Sequence, residues 1–152
     1  MSHIIIDGYN LIGIQHGDLK KARTHLITRL INYRKLKGHD ITVVFDGHGG
    51  MHSQATRQTR GGVVIVFSPI GKRADDLIKE LILKERGQPI VISSDRDIER
   101  FAWSHGAIPV GSELFYARLF DEEDESSEHY EIKPAGRLSR KERAVIRALN
   151  KL

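Results

Sequence analysis

The chain of 152 residues contains no cysteine, which removes disulfide scaffolds, thiol nucleophiles and thiolate zinc sites together. Any metal it holds is bound by oxygen, with histidine as the lesser alternative. It also lacks an apolar run long enough for a transmembrane helix, and Met1-Ser2-His3 leads into an apolar strand without a basic leader or cleavage site. A soluble, cytoplasmic protein with no membrane partner is expected. Aromatic residues are scarce, at 7%, so base-stacking surfaces have few candidates. Tyr9 and Trp103 are read as packing residues ahead of base platforms.

What is present is basic charge, unevenly spread. The formal charge is +4, yet residues 121–128 (DEEDESSE) hold six of the 20 acidic residues. Outside that run, 24 basic residues stand against 14 acidic ones, a balance of +10. Such a body suits a polyanionic partner, but net charge supports only non-specific attraction. The length fits one domain with a substantial core and no second domain beside it.

Hydrophobic patterning divides the chain into alternating elements. Residues 3–6 form an apolar strand, and residues 18–37 place Leu19, Ala22, Leu26, Leu30 and Tyr33 at helical spacing. Strands are predicted at 41–45 and 63–67, flanking a long loop from Gly47 to Gly62. Helices follow at 74–86 and 95–105, strands at 89–93 and 107–110, and a last body helix capped by Ser112 runs through Phe120. This alternation predicts a doubly wound α/β fold with a mainly parallel sheet covered on both faces. No internal repeat is present. After residue 120 come an acidic linker, 121–129, and a basic tail, 130–152. In the tail Ser139 and Glu142 suggest a capping box, and Val145, Leu149 and Leu152 an apolar stripe. A short helix that packs on the body or on a partner is expected there.

In an open parallel sheet, ligands bind outside the carboxyl ends of the strands. Asp7 follows the first predicted strand, Asp46 the second, Asp75 and Asp76 the third, and Asp95 with Asp97 the fourth. Any one of them is explained by the preference of Asp for helix N-termini. Four clusters at one edge are harder to explain, because neighbouring like charges repel unless something neutralises them. Mg²⁺ or Mn²⁺ prefers hard oxygen ligands, and can activate a water and stabilise charge on a phosphodiester. The residues point to phosphodiester hydrolysis without a covalent enzyme intermediate.

Ile4-Ile5-Ile6-Asp7-Gly8-Tyr9-Asn10-Leu11 is followed by Val43-Val44-Phe45-Asp46-Gly47, Ala74-Asp75-Asp76 and Ser93-Ser94-Asp95. In order and approximate spacing this series resembles the YacP-like NYN domain family. The resemblance covers the body to about Phe120; Lys133-Pro134-Ala135-Gly136 and the basic end are similar less specifically. It implies a PIN-like three-layer α/β/α nuclease domain over residues 1–120, with an acidic pocket that binds Mg²⁺ or Mn²⁺ and cleaves RNA. Carried over by position, it implies that Asp7, Asp75 and Asp95 are catalytic metal ligands and that Asn10 orients a carboxylate or a phosphate. Asp46 then acts on the metal directly or through water, and Ser94 is a small hydroxyl beside the last acid. Asp97 follows a Ser-Asp-x-Asp pattern of PIN domains, with helix capping as its alternative, which Asp76 shares.

Substrate contacts are sought among nearby cations. His48, Arg57 and Arg60 lie in the Gly47–Gly62 stretch, which either closes over a phosphate chain or is a solvated loop. Lys72 and Arg73 precede Asp75 and either contact phosphate or soften the acidic cluster. The basic end, including Arg140, Lys141, Arg143 and Arg147, offers salt-sensitive phosphate contacts or a solvated face paired with the acidic run. The leading reading is a metal-dependent endoribonuclease. Its alternatives are an RNA- or ribosome-associated binding module with weak or no catalysis, and a DNA-directed PIN-like nuclease. A phosphatase is disfavoured, because there is no Walker loop and Asp7-Gly8-Tyr9 is not Asp-x-Asp.

Overall fold

A computed structural model describes residues 2–13, 18–47, 56–120 and 138–152. Its sheet has six strands: β1 (His3–Asp7), β2 (Asp40–Phe45), β3 (Thr56–Arg60), β4 (Val63–Phe67), β5 (Ile90–Ile92) and β6 (Ile108–Val110). They lie in the order β3-β4-β2-β1-β5-β6. All neighbours are parallel except β3 and β4. Helices α1 (Gly8–Ile12), α2 (Leu19–Lys37), α3 (Ala74–Lys84), α4 (Arg96–Ser104), α5 (Ser112–Phe120) and α6 (Arg140–Lys151) complete the described elements. Among the described residues no helix is long and apolar enough to cross a membrane.

The central strands are mostly apolar between their ends because both faces are covered. Ile4 and Ile6 pack with Leu26, Leu30, Tyr33, Phe115 and Leu149, contributed by α2, α5 and α6. Ile5 turns to the other face, where Ile78 and Ile82 of α3 and Ile98 and Ala102 of α4 meet Val44 and Val91. The result is the expected three-layer α/β/α architecture.

Three local expectations need correction. Thr56–Arg60 is a strand rather than part of a loop, paired antiparallel with β4. Its polar sequence hid it, since an edge strand with exposed Arg57, Gln58, Thr59 and Arg60 shows no apolar alternation. The Gly61-Gly62 turn, with φ of 53° and 83°, was the available signal, since a two-residue hairpin loop of this twist needs positive φ at both positions. Ser112 is the first residue of α5 and its hydroxyl is directed elsewhere. A short helix, α1, to which the hydrophobic patterning assigned no element, follows β1 directly.

The C-terminal helix packs on the body. Ser139 Oγ accepts from the Glu142 backbone N–H at 3.1 Å, which starts α6. Ala148, Leu149 and Leu152 are buried in the main core, and Val145 packs partly against it. The end is also tied by hydrogen bonds: Ser2 N–H donates to His39 Nδ1 at 3.4 Å, which leaves Nε2–H to donate to the Lys151 carbonyl at 2.7 Å. The acidic run 121–128 and the neighbouring basic residues Lys133 and Arg137 lie outside the described residues.

Truncating Leu149 tests how far the domain extends. Leu149→Ala is expected to cost about 2–5 kcal/mol, read as a lower midpoint in urea unfolding. An unchanged midpoint would show that α6 adds nothing to the folding unit.

Candidate active site

Strand order locates the site before any side chain is considered. From β1 the chain moves one way to β2 and β4, then β5 forms on the other side of β1. The loops leaving β1 and β5 therefore diverge, opening a crevice at their carboxyl ends. Asp7, the last residue of β1, stands at that switch point.

Its position is enforced by tight packing. Gly8, immediately after Asp7, has no room for a side chain, because a Cβ would sit 2.3 Å from the ring of fully buried Phe45. Gly47, immediately after Asp46, is held in the same way, with a Cβ position 2.0 Å from the Ser68 carbonyl oxygen. Ser68 also donates its backbone N–H to Phe45 O at 2.9 Å and accepts from Gly47 N–H through Oγ at 3.0 Å. The segments leaving β2 and β4 are thereby clamped together beside Asp7.

The acids converge on this place. Asp7 is buried, with 7% of its surface exposed. Burial and then the charge of Asp75 push its carboxyl up to about 6, opposed by the Ser93 hydroxyl and the Asn10 backbone N–H, with a last, smaller push from the charge of Asp46. Asp75 is raised by burial and by Asp95 and Asp46, with Arg73 and Lys79 opposing. Asp7, Asp46, Asp75 and Asp95 therefore form one electrostatic group.

Several members have a structural task as well. Asp46 Oδ1 accepts the Ala74 N–H at 2.7 Å, capping α3 from another strand and fixing Asp75 one residue later. Asp95 Oδ1 accepts the N–H groups of Asp97 at 2.8 Å and Ile98 at 3.2 Å, capping α4. Arg73 pairs with Asp75 at 2.9 Å. Among the described residues, no three His, Asp or Glu side chains are arranged, as they stand, to hold a metal ion.

A second set of bonds ties the loops to one another. Ser93 Oγ donates to Asp7 Oδ2 at 3.2 Å and accepts the Asp95 N–H at 3.1 Å, joining the ends of β1 and β5. Asn10 Oδ1 accepts the Ser94 N–H at 2.8 Å and the Ser112 hydroxyl at 2.5 Å. Ser94 Oγ accepts the Ser112 N–H at 3.0 Å. Ser93 and Ser112 were not among the expected site residues, Ser112 having been expected only as a helix cap. Ser93 was legible in principle, because the residue after Ile92 continues the strand alternation toward Asp7.

The remaining candidates are more scattered. Asp97 is exposed and pairs with Lys79 at 2.6 Å, and that ammonium holds its carboxyl below the usual range. Lys72 pairs with Glu80. Arg57 and Arg60 are exposed on β3, where Arg60 lies opposite Val63, the end of β4 away from the acids. His48 lies outside the described residues.

Asp7 sets a pH dependence of stability. A carboxyl raised in the folded state favours folding below its ordinary value of 3.8, and this contribution is lost as pH rises through about 6. At pH 8 the ionised group costs up to about 3 kcal/mol. Metal-free Asp7→Asn is therefore expected to melt several degrees higher than wild type at pH 8 and to converge with it near pH 4. A lower melting temperature at pH 8 would overturn this account of the cluster.

With the site described, similarity to known proteins can be placed on it. The family model for the YacP-like NYN domain matches residues 4–151. The "Uncharacterized protein YacP" of Bacillus subtilis (strain 168) is 34% identical over 88 residues, covering 53% of this chain and 51% of that protein. The chain thus spans about half the length of that relative in the match. The crystal structure of Rae1 (YacP) from Bacillus subtilis superposes with a TM-score of 0.62 at 29% identity, covering 78% of this chain and 74% of that one. A mutant of Rae1 gives 0.59 at 24% identity, over 74% and 71% of the two chains, and speaks to the fold alone. On the extent of the family match and the agreement of fold, the chain belongs to the YacP-like NYN domain family, with a nuclease-type fold.

Proposed function

We propose that the protein is a divalent-cation-dependent endoribonuclease that hydrolyses RNA phosphodiester bonds at the Asp7 edge, with Mg²⁺ or Mn²⁺ held by Asp7 and Asp75 and flanked by Asp46 and Asp95. The carrying observation is that Asp7 is buried at the end of β1 with the charges of Asp75 and Asp46 acting on it. Repulsion of this kind is relieved by a cation, and a set of hard oxygen donors fits Mg²⁺ or Mn²⁺. A cation bound there supplies charge that makes water more acidic and stabilises a phosphate in transfer.

The protein's own groups prepare that place. Ser93 orients the Asp7 carboxylate while fixing the start of the Asp95 cap. Asn10 has its carbonyl oxygen committed to Ser94 and Ser112, so further contacts of its side chain are made as a donor. That suits a carboxylate or a phosphate oxygen. Asp97, exposed and paired with Lys79, is left out of this proposed cation site. RNA is preferred over DNA on the family resemblance, while the carboxylates require only a phosphodiester.

One observation favours the binding-module reading: Asp46, Asp75 and Asp95 each already have a partner in the protein. The two readings part on catalysis. Purified protein is expected to cut a closed circular RNA with Mn²⁺ or Mg²⁺ and to lose the activity in EDTA. Asp7→Asn and Asp75→Asn are each expected to lower the rate roughly 100-fold or more, without unfolding. Because protons compete with the cation for Asp7, whose carboxyl is raised in the metal-free protein, the rate at subsaturating cation should fall as pH is lowered, and added cation should move that fall to lower pH. Cutting that survives EDTA, or that both variants retain, would sink the proposal; RNA binding with no cutting in any cation would establish the binding module.

A further inference from the structure

One flank of the acidic edge carries a cluster with no part in the site so far. Tyr9 packs on Phe45 with ring centroids 5.0 Å apart, and Phe45 stacks on Phe67 at 5.6 Å. Arg23 of α2 lies over Phe67 at 5.2 Å from the ring centroid, and its guanidinium donates to the Tyr9 hydroxyl at 3.1 Å. Tyr9, Arg23 and Phe67 are half-buried. They belong to the acidic edge: Tyr9 is two residues from Asp7, Phe45 precedes Asp46, and Phe67 ends β4.

From this cluster the surface stays basic along one side of the molecule. α2 has no Asp or Glu between Leu19 and Lys37, and β3 reads Thr-Arg-Gln-Thr-Arg. Register places Arg60 on the same face as Val63, the face covered by α2. The hairpin turn reaches α2, where a Cβ on Gly62 would meet the Arg34 guanidinium. α3 and α4, on the other face, mix acids with bases, and Lys79 is spent on Asp97. Cations on an edge strand discourage pairing with other chains, and Arg23 clasps α2 to α1. Neither role requires a 19-residue helix without an acid beside a site for a polyanion.

We propose that the α2–β3 flank is a track for single-stranded nucleic acid, in which one base stacks on the Arg23 guanidinium, backed by Phe67 and fixed by Tyr9, and the phosphates beyond it run toward Arg60 and Arg34. Guanidinium planes and aromatic rings are general platforms for unpaired bases. From Thr56 to Arg60 the strand spans about 13 Å, so the track begins beside the acids and leads away from them. A duplex keeps its bases stacked on one another and gains only the phosphate contacts. The proposal rests on the nuclease reading for what the strand does at the acids.

Binding can be measured without cleavage, by fluorescence anisotropy in EDTA with a labelled single-stranded RNA, the same sequence as DNA, and the RNA duplex. Arg23→Lys keeps the charge but removes the plane. It is expected to weaken single-strand binding about tenfold, the order of one stacked base, with the salt slope unchanged and duplex binding little affected. Exposed Arg60→Gln should weaken both and flatten the slope by about 0.7. Arg100→Gln, on α4, should change neither. Wild-type affinity for Arg23→Lys, or equal losses from Arg100→Gln and Arg60→Gln, overturns the track. Loss of binding by Arg23→Lys in a protein without nuclease activity upholds the track and removes the nuclease reading. Intact cutting with unaltered binding does the reverse. Equal losses on RNA and DNA support a track that does not read the sugar.

Discussion

The organisation of the acidic edge depends on a carboxylate placed where it is expensive to ionise. β1 lies at the centre of the sheet, so its last residue, Asp7, emerges between loops that go opposite ways and is largely removed from water. Phe45 packs so closely on Gly8 that no side chain fits at the residue after the acid. Two neighbouring acids then raise the cost of its charge. A residue held there for stability alone would do better as Asn, which keeps an acceptor for Ser93 and carries no charge. Retaining the acid makes sense when a cation or a proton is to be exchanged at that position.

The other acids show that capping and function are not rival explanations. Asp46 holds the first amide of α3 and Asp95 the first amides of α4. Each bond satisfies a helix end and also fixes where its carboxylate stands relative to Asp75. A carboxylate has several acceptor positions, so one oxygen committed to a backbone N–H leaves the other available. Rigid placement by caps lets four acids approach one another without flexible loops. Asp75 differs, being tied by Arg73, an exposed side chain whose ion pair is readily exchanged for water and contributes little. Among these acids, it is the one most easily released to a ligand.

The sequence revealed some levels better than others. Strands buried on both faces announce themselves as uninterrupted apolar runs, so β1, β2, β4 and β5 were legible, and the position of Asp residues after them located the edge. β3 was not, because an edge strand facing water needs no apolar pattern; only Gly61-Gly62 marked it. Ser94 was expected as a small hydroxyl beside the last acid, while Ser93 is the residue that binds Asp7. Strand alternation beyond Ile92 carries Ser93 to the face of Asp7, but only once β5 is known to lie beside β1. Asp97 looked like Asp95 in sequence, yet it is exposed and pairs with Lys79 of a different helix. Pairings between separate elements are what a linear reading sees least.

Charge separation between the two helical layers completes the physical picture. On the proposed reading, a polyanion must approach a cluster of acids, so its phosphates have to be held by charge placed elsewhere. Long-range attraction from a body that is basic outside residues 121–128 brings the polymer near but cannot choose a direction, since it is screened beyond about 8 Å at physiological salt. Direction comes from local contrast. The α3–α4 face pairs its cations internally, through Lys72 with Glu80 and Lys79 with Asp97, whereas α2 has no acid of its own to pair with. Arg34 reaches exposed Asp40 of β2 only at 4.0 Å, so a strand leaving the acidic edge meets less repulsion and a more basic surface over α2 and β3. The aromatic residues at the start of that path, Tyr9 and Phe67, are anchored on buried Phe45. The packing that forbids a side chain at Gly8 thus also holds the platform, making the position of the acid and the direction of the chain consequences of the same core.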